Sequence, residues 1–170
     1  MRERDGGGPP KRVLIVDDDE EFVRDLLRVW KAPGVVLWAG TGMDAVRAII
    51  RSRPEVVLLD LNLPRYLADT EDEEGFRVLD FAREVLGPDA LVVLMTRDDS
   101  GEIRDAARTR GADALLAKPL KIAELERILR ARRSSRAWRR CGAEGSAQAT
   151  GCRPGKDGRR RNHVHENEDE

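Results

Sequence analysis

Short, uninterrupted apolar runs alternate along residues 1–130 with stretches in which apolar residues recur every three or four positions. The uninterrupted runs are Val13–Val16, Val35–Trp38, Val56–Leu59, Leu91–Met95 and Ala114–Leu116. Because they are rich in β-branched residues and do not alternate with polar ones, they predict strands that are covered on both faces. The helical stretches are Glu20–Lys31, Met43–Arg51, Phe76–Val85, Glu102–Thr109 and Ile122–Arg130. This alternation predicts an α/β fold with a doubly wound, five-stranded parallel sheet, for which the common flavodoxin-like strand order is 2-1-3-4-5.

The apolar pattern stops near residue 133. Between residues 131 and 170 the large apolar residues are Trp138 and Val164, too few to offset the entropy of ordering the chain. We therefore predict three parts: a flexible leader over residues 1–10, a folded domain over residues 11–133 and a disordered tail over residues 134–170.

Composition narrows the class of protein. With 170 residues and 40% apolar content, the chain can bury one core of ordinary size. The longest apolar run, Ala90–Met95, is far shorter than the roughly 18 residues of a membrane span, and Met1–Lys11 lacks the apolar stretch of a secretory signal. The two cysteines form no disulfide framework. Together these features lead us to expect a cytoplasmic protein.

The net charge of −1 conceals a tail that is basic as far as Arg161 and acidic at its end. The basic groups Arg130–Arg140 and Arg159–Arg161 fit a solvated extension of the last helix better than a nucleic-acid site, because Trp138 offers little for base stacking. Four residues in the tail are of zinc-ligand type: Cys141, Cys152, His163 and His165. Their spacing is wider than in compact zinc modules, which favours exposed thiols over a zinc site.

Polar side chains stand where four of the predicted strands end. They are Asp17-Asp18-Asp19 after the first strand, Asp60 at the third, Thr96 at the fourth and Lys118-Pro119 after the fifth. Open parallel sheets bind ligands at the carboxyl ends of their strands. Any one of these residues can serve a turn or a cap, and Asp19 is expected to be the N-cap of the first helix. Their joint occurrence favours a site where carboxylates, a hydroxyl and an ammonium converge.

Four motifs of the chain resemble the receiver domain of two-component response regulators, the CheY-like family. They are Val13–Asp18 (VLIVDD), Val56–Pro64 (VVLLDLNLP), Val92–Thr96 (VVLMT) and Ala117–Pro119 (AKP), which follow in the family's order across about residues 11–130. The resemblance implies that Asp60 is the phospho-acceptor and that Thr96 and Lys118 contact the phosphoryl oxygens. It also implies a cis peptide bond between Lys118 and Pro119.

The same resemblance implies a bound Mg²⁺. Its ligands would be carboxylates of Asp17, Asp18 and Asp60 and the backbone carbonyl of Asn62. Chemistry supports this assignment independently, because clustered carboxylates repel one another and a hard divalent cation relieves that repulsion. A flavodoxin-type redox protein on the same strand order is disfavoured, since these carboxylates would repel a flavin phosphate.

The function that the resemblance implies is a stand-alone receiver rather than an enzyme, with catalysis limited to its own phosphorylation and dephosphorylation. The donor would be a phosphohistidine on a sensor histidine kinase or a phosphotransfer protein, and the output would pass through protein contacts. The sequence does not identify the kinase or the target that act with it, or whether it forms a homodimer.

Three departures from the family pattern motivate an alternative, a pseudo-receiver that works as an interaction module without phosphate. Arg97 stands where a small residue is usual, and Leu115 stands where an aromatic residue often takes part in switching. The segment at residues 65–74 is longer and more acidic than usual. We expect it to be a solvated acidic loop, with a segment that covers the site or selects partners as the alternative.

Overall fold

The structure, a computed structural model, describes residues 12–66, 71–98 and 100–141 of the chain. The strands in these residues are β1 (Arg12–Val16), β2 (Val35–Ala39), β3 (Val56–Asp60), β4 (Leu91–Thr96) and β5 (Ala114–Ala117). The α-helices are α1 (Glu20–Val29), α2 (Gly42–Ser52), α3 (Glu71–Leu86), α4 (Gly101–Thr109) and α5 (Ile122–Cys141). A short 3-10 turn, Gly87–Asp89, joins α3 to β4. None of the helices in this part of the chain combines the length and the hydrophobicity of a membrane span.

The five strands form one parallel sheet in the order β2-β1-β3-β4-β5, which confirms the predicted fold class. In the register of the two central strands, Val16 of β1 lies beside Leu59 of β3. The residues that follow, Asp17 just after β1 and Asp60 at the end of β3, therefore lie side by side at the carboxyl edge of the sheet.

Each face of the sheet carries its own apolar layer, because successive strand residues point to opposite faces. Val13 and Ile15 of β1 pack with Val23 and Leu26 of α1 and with Leu125 of α5. On the other face, Leu14 and Val16 pack with residues of the remaining helices, among them Ile49 of α2, Leu79 of α3 and Ala107 of α4. Helices on both faces explain why the strands are uninterrupted apolar runs.

The acidic segment between β3 and α3 differs from the prediction. The helix begins at Glu71 rather than at Phe76, so the end of the predicted loop belongs to its first turn. Glu74, expected to be solvated, is fully buried beside Gly42, and its Oε2 accepts a hydrogen bond from the backbone N–H of Tyr66 (3.1 Å). The prediction of a wholly solvated acidic loop is therefore wrong at Glu74, while residues 67–70 lie outside the described part of the chain.

The last helix continues to Cys141, past the boundary predicted at residue 133. Residues 134–141, which the sequence assigned to the disordered tail, are thus helical, in agreement with the expected extension of the final helix. The leader at residues 1–10 and the rest of the tail, with Cys152, His163 and His165, lie outside the described residues.

Candidate functional site

Lys118, which follows β5, bridges two carboxylates at the carboxyl ends of β1 and β3. Its Nζ donates hydrogen bonds to Oδ2 of Asp17 (2.6 Å) and to Oδ2 of Asp60 (2.7 Å). All three side chains are almost completely shielded from solvent. Two carboxylates therefore share one ammonium group in a largely dry setting, where electrostatic interactions are strong.

Backbone hydrogen bonds fix the loops that carry these side chains. The N–H of Asp17 donates to the carbonyl of Ala39 (3.0 Å), and the N–H of Lys118 donates to the carbonyl of Thr96 (2.7 Å). The Lys118–Pro119 bond is cis, as predicted. The ammonium group of Lys118 also lies 4.3 Å from the centre of the Phe22 ring, a cation–π contact that connects it to α1.

Asp18 is the exposed member of the acidic pair. Carboxylate oxygens of Asp17, Asp18 and Asp60 all lie within 4.8 Å of one another. Asp18 also lines a cavity of about 390 Å³ together with Asp60, Asn62, Arg97 and Asp98. The next residue, Asp19, caps α1 by accepting a hydrogen bond from the N–H of Phe22 (3.0 Å), as the sequence predicted.

The loop after β4 holds the Thr96 hydroxyl. Thr96 is buried, and its Oγ1 donates to the carbonyl of Asp98 (2.9 Å) and accepts from the N–H of the same residue (3.0 Å). Arg97, between them, is exposed at the cavity. On the β3 side, the N–H of Asn62 donates to Oδ1 of Asp60 (3.2 Å), so both oxygens of that carboxylate accept hydrogen bonds.

The donor set fits a hard divalent cation. Three carboxylates face one ammonium group, which leaves a negative charge that an ion such as Mg²⁺ can offset. Burial raises the pKa of the Asp17 carboxyl above its usual value. The hydrogen bond from Lys118 lowers this pKa in part, and the negative charge of Asp60 raises it further. Burial therefore disfavours the ionised form of Asp17, and a bound divalent cation would favour it.

The pKa of Asp17 leads to a prediction about stability. A carboxyl whose pKa is raised by folding binds its proton more tightly in the folded state, so it lowers stability as pH rises through that raised pKa. We expect Asp17→Asn, in metal-free buffer at neutral pH, to raise the free energy of unfolding by about 1 kcal/mol. The advantage should shrink as pH falls toward 3.8, the ordinary pKa of this group. Urea unfolding at several pH values measures it.

Asp18→Asn is the matched control for this measurement, because Asp18 is the neighbouring carboxylate and its side chain is exposed. Its unfolding free energy should stay close to that of the wild-type chain. A less stable Asp17→Asn variant at neutral pH would contradict the prediction and would show that the hydrogen bond from Lys118 outweighs the cost of burying the charge.

The structure brings together four of the residues that the sequence placed at the strand ends, whereas Asp19 caps α1 and the Thr96 hydroxyl is bonded to the backbone of Asp98. Asp17, Asp60 and Lys118 are in direct contact, Asp18 adjoins them, and Thr96 ends the neighbouring strand. Three nearby residues were not assigned to the site from sequence: Phe22, Trp38 and Asp98. The first two were assigned by apolar pattern to a helix face and a strand, and that pattern gives no sign of their contacts with polar groups of the site.

Comparison with protein families gives a match to the response regulator receiver domain over residues 13–130. Among curated proteins, the chain is 40% identical over 93 residues to TcrX of Mycobacterium tuberculosis, described as a probable transcriptional regulatory protein. It is 37% identical over 86 residues to the regulatory protein LuxO of Vibrio cholerae. These alignments cover 55% and 51% of the chain. Among solved structures, the signal receiver domain of a LuxO repressor protein from Vibrio parahaemolyticus has a TM-score of 0.63 and 26% identity, covering 81% of this chain and 99% of that domain.

The curated relatives are much longer than the matched segment. The aligned part makes up 36% of TcrX and 17% of LuxO. The likeness therefore concerns one domain of those proteins and does not extend to their remaining sequence.

Proposed function

Because the chain belongs to the response regulator receiver domain family, we propose that it accepts a phosphoryl group on Asp60 from a phosphohistidine donor and signals through protein contacts. Response regulators of two-component systems receive their signal from histidine kinases or phosphotransfer proteins. One observation carries the proposal: Lys118 holds Asp17 and Asp60 together at the carboxyl edge of the sheet, beside the exposed carboxylate of Asp18.

In the proposed reaction a carboxylate oxygen of Asp60 attacks the phosphorus atom. An O–P bond forms as the P–N bond to the donor histidine breaks, the imidazole leaves, and Asp60 carries an acyl phosphate. The surroundings of Asp60 suit this role: Lys118 and the N–H of Asn62 hold its two oxygens in place. Asp60 is only 5% exposed but lines the cavity beside Asp18, so a phosphoryl donor would reach its carboxylate through that cavity.

Receiver domains bind Mg²⁺ at clustered acidic residues, and we propose that here Asp17, Asp18, Asp60 and the backbone carbonyl of Asn62 hold it. When bound, the ion neutralises charge on the phosphoryl oxygens. Lys118 supplies a further positive charge at the carboxylate of Asp60.

Thr96 and Lys118 are the residues proposed to contact the phosphoryl group. To donate to a phosphoryl oxygen, the Thr96 hydroxyl would have to give up its hydrogen bond to the carbonyl of Asp98. Such a change would move the loop between β4 and α4 and alter the surface that a partner protein meets. That the chain acts as a stand-alone receiver also stays a prediction, since the matched relatives are longer proteins.

One observation favours the second candidate function, an interaction module that works without phosphate. Arg97 lines the same cavity as Asp18 and Asp60, at a position where receiver domains usually have a small residue. Leu115 packs against the core layer that contains α4 and offers no aromatic ring to couple with the hydroxyl of Thr96. The two candidates differ in whether the protein takes up phosphate at all.

The proposal is tested by the metal dependence of labelling. The wild-type chain should gain one phosphoryl group from acetyl phosphate in the presence of Mg²⁺ and none without it, as read from its intact mass. Asp18→Ala should weaken Mg²⁺ binding by at least about tenfold, because it removes a carboxylate that faces the ion. Amide NMR shifts during a Mg²⁺ titration measure that affinity.

Asp19→Ala is the matched control, since Asp19 is the neighbouring carboxylate but accepts the N-cap hydrogen bond of α1 from the N–H of Phe22. It should lower the free energy of unfolding by about 1 kcal/mol through the lost cap and leave Mg²⁺ affinity unchanged. An equal loss of Mg²⁺ affinity in both variants would contradict the proposed ligand set.

A further inference from the structure

We propose that Trp38 is a positioning residue for the acidic pair, holding the peptide group between Asp17 and Asp18 in place. The inference rests on the proposed function, because it assigns Trp38 a part in the same Mg²⁺ site. Its basis is one hydrogen bond: Nε1 of Trp38 donates to the backbone carbonyl of Asp17 at 2.9 Å.

Strand pairing brings the indole to this point. β1 and β2 are parallel, with Ile15 beside Trp38 and Val16 beside Ala39. Past the end of the ladder, the N–H of Asp17 donates to the carbonyl of Ala39. Both backbone polar groups of Asp17 are thus bound to residues at the end of β2, and the side chain of Trp38 supplies the second bond.

The hydrogen bond acts on Asp18 through covalent geometry. The carbonyl of Asp17 and the N–H of Asp18 belong to one planar peptide group. A hydrogen bond that fixes the carbonyl oxygen therefore also fixes the positions of the N and Cα atoms of Asp18. Within the described residues, the Asp18 side chain has no hydrogen bond that would orient it. The direction of its carboxylate therefore depends on its backbone, which is held before Asp18 by Trp38 and after it by the hydrogen bond from the N–H of Asp19 to Oδ1 of Asp17 (3.0 Å).

Apolar burial does not account for the position of this side chain. Trp38 is 49% exposed, whereas Trp30, which belongs to the core, is 2% exposed. The indole N–H is a donor with no acceptor function, and here its partner is the backbone carbonyl of Asp17. A half-exposed ring whose donor meets the backbone of the acidic pair is explained better by positioning than by packing.

The test compares Trp38→Phe with Trp38→Ala by Mg²⁺ titration, followed through the amide NMR shifts of residues 17–19. Phe keeps an aromatic ring but lacks the donor, so both variants should bind Mg²⁺ about tenfold more weakly than the wild-type chain. In the wild type, the indole N–H signal of Trp38 should shift as Mg²⁺ binds. Val35→Ala, at another exposed residue of β2, is the control and should bind Mg²⁺ normally.

The outcomes separate this inference from the function on which it rests. If Trp38→Phe binds Mg²⁺ as tightly as the wild-type chain, or if the loss appears in Trp38→Ala alone, the hydrogen bond does not position the pair and the inference is overturned. If the wild-type chain itself binds no Mg²⁺, the proposed metal site fails, and the inference fails with it.

Discussion

Asp60→Asn should take up no phosphoryl group from acetyl phosphate under conditions in which the wild-type chain gains one. Asp60 ends β3, and its carboxylate lies between Lys118 and the N–H of Asn62, which hold the proposed nucleophile in place. An amide oxygen at this position is a far weaker nucleophile than a carboxylate oxygen. Intact mass after incubation with acetyl phosphate and Mg²⁺ measures the loss, which should be complete.

Asp98→Asn is the matched control for Asp60→Asn. Asp98 is exposed at the same cavity, its contacts with Thr96 come from its backbone, and the amide oxygen of Asn can still accept the hydrogen bond that the N–H of Ser100 donates to Oδ1 of Asp98. It should therefore be labelled like the wild-type chain. Equal labelling of Asp60→Asn and the wild type would refute Asp60 as acceptor, and no labelling of either would favour the phosphate-independent module.

The strands and their polar ends were predictable because each depends on local sequence. Strands covered on both faces must be apolar throughout, and the runs at Val56–Leu59 and Leu91–Met95 meet that demand. A parallel sheet places all carboxyl ends at one edge, so Asp17, Asp60 and Lys118 had to come close together. The direct contacts of Lys118 with both carboxylates add distances that the sequence alone does not provide.

The start of α3 was not predictable in the same way. A run of acidic residues is usually solvated, and that expectation failed at Glu74 because its burial depends on a contact distant in sequence. Gly42, at the first turn of α2, has no side chain and leaves room for the Glu74 carboxylate. The hydrogen bond from Trp38 to Asp17 is similar, since it joins residues on two strands through a side-chain rotamer that no local pattern specifies.

Gly75→Ala should destabilise the fold by about 3 kcal/mol, because the added methyl group meets backbone atoms that cannot give way. A Cβ at this position would lie 2.5 Å from Cα of Leu61, 2.7 Å from the carbonyl oxygen of Asp60 and 2.8 Å from that of Leu61. The N–H of Gly75 also donates to the carbonyl of Leu61 (3.3 Å). Relieving the clash would move either α3 or the end of β3. Urea unfolding measures the loss.

Gly101→Ala is the control for this close approach, because Gly101 begins α4 and a Cβ there would have no neighbour within 4 Å. Alanine is the better helix former, so this variant should be as stable as the wild-type chain or more stable by up to about 1 kcal/mol. Because the Gly75 clash involves the carbonyl of Asp60, Gly75→Ala should also slow phosphoryl uptake in the fraction that remains folded. A Gly75→Ala chain as stable as Gly101→Ala would mean that α3 can shift away from β3 at little cost, and that Gly75 is not needed to hold the acceptor strand against the helix.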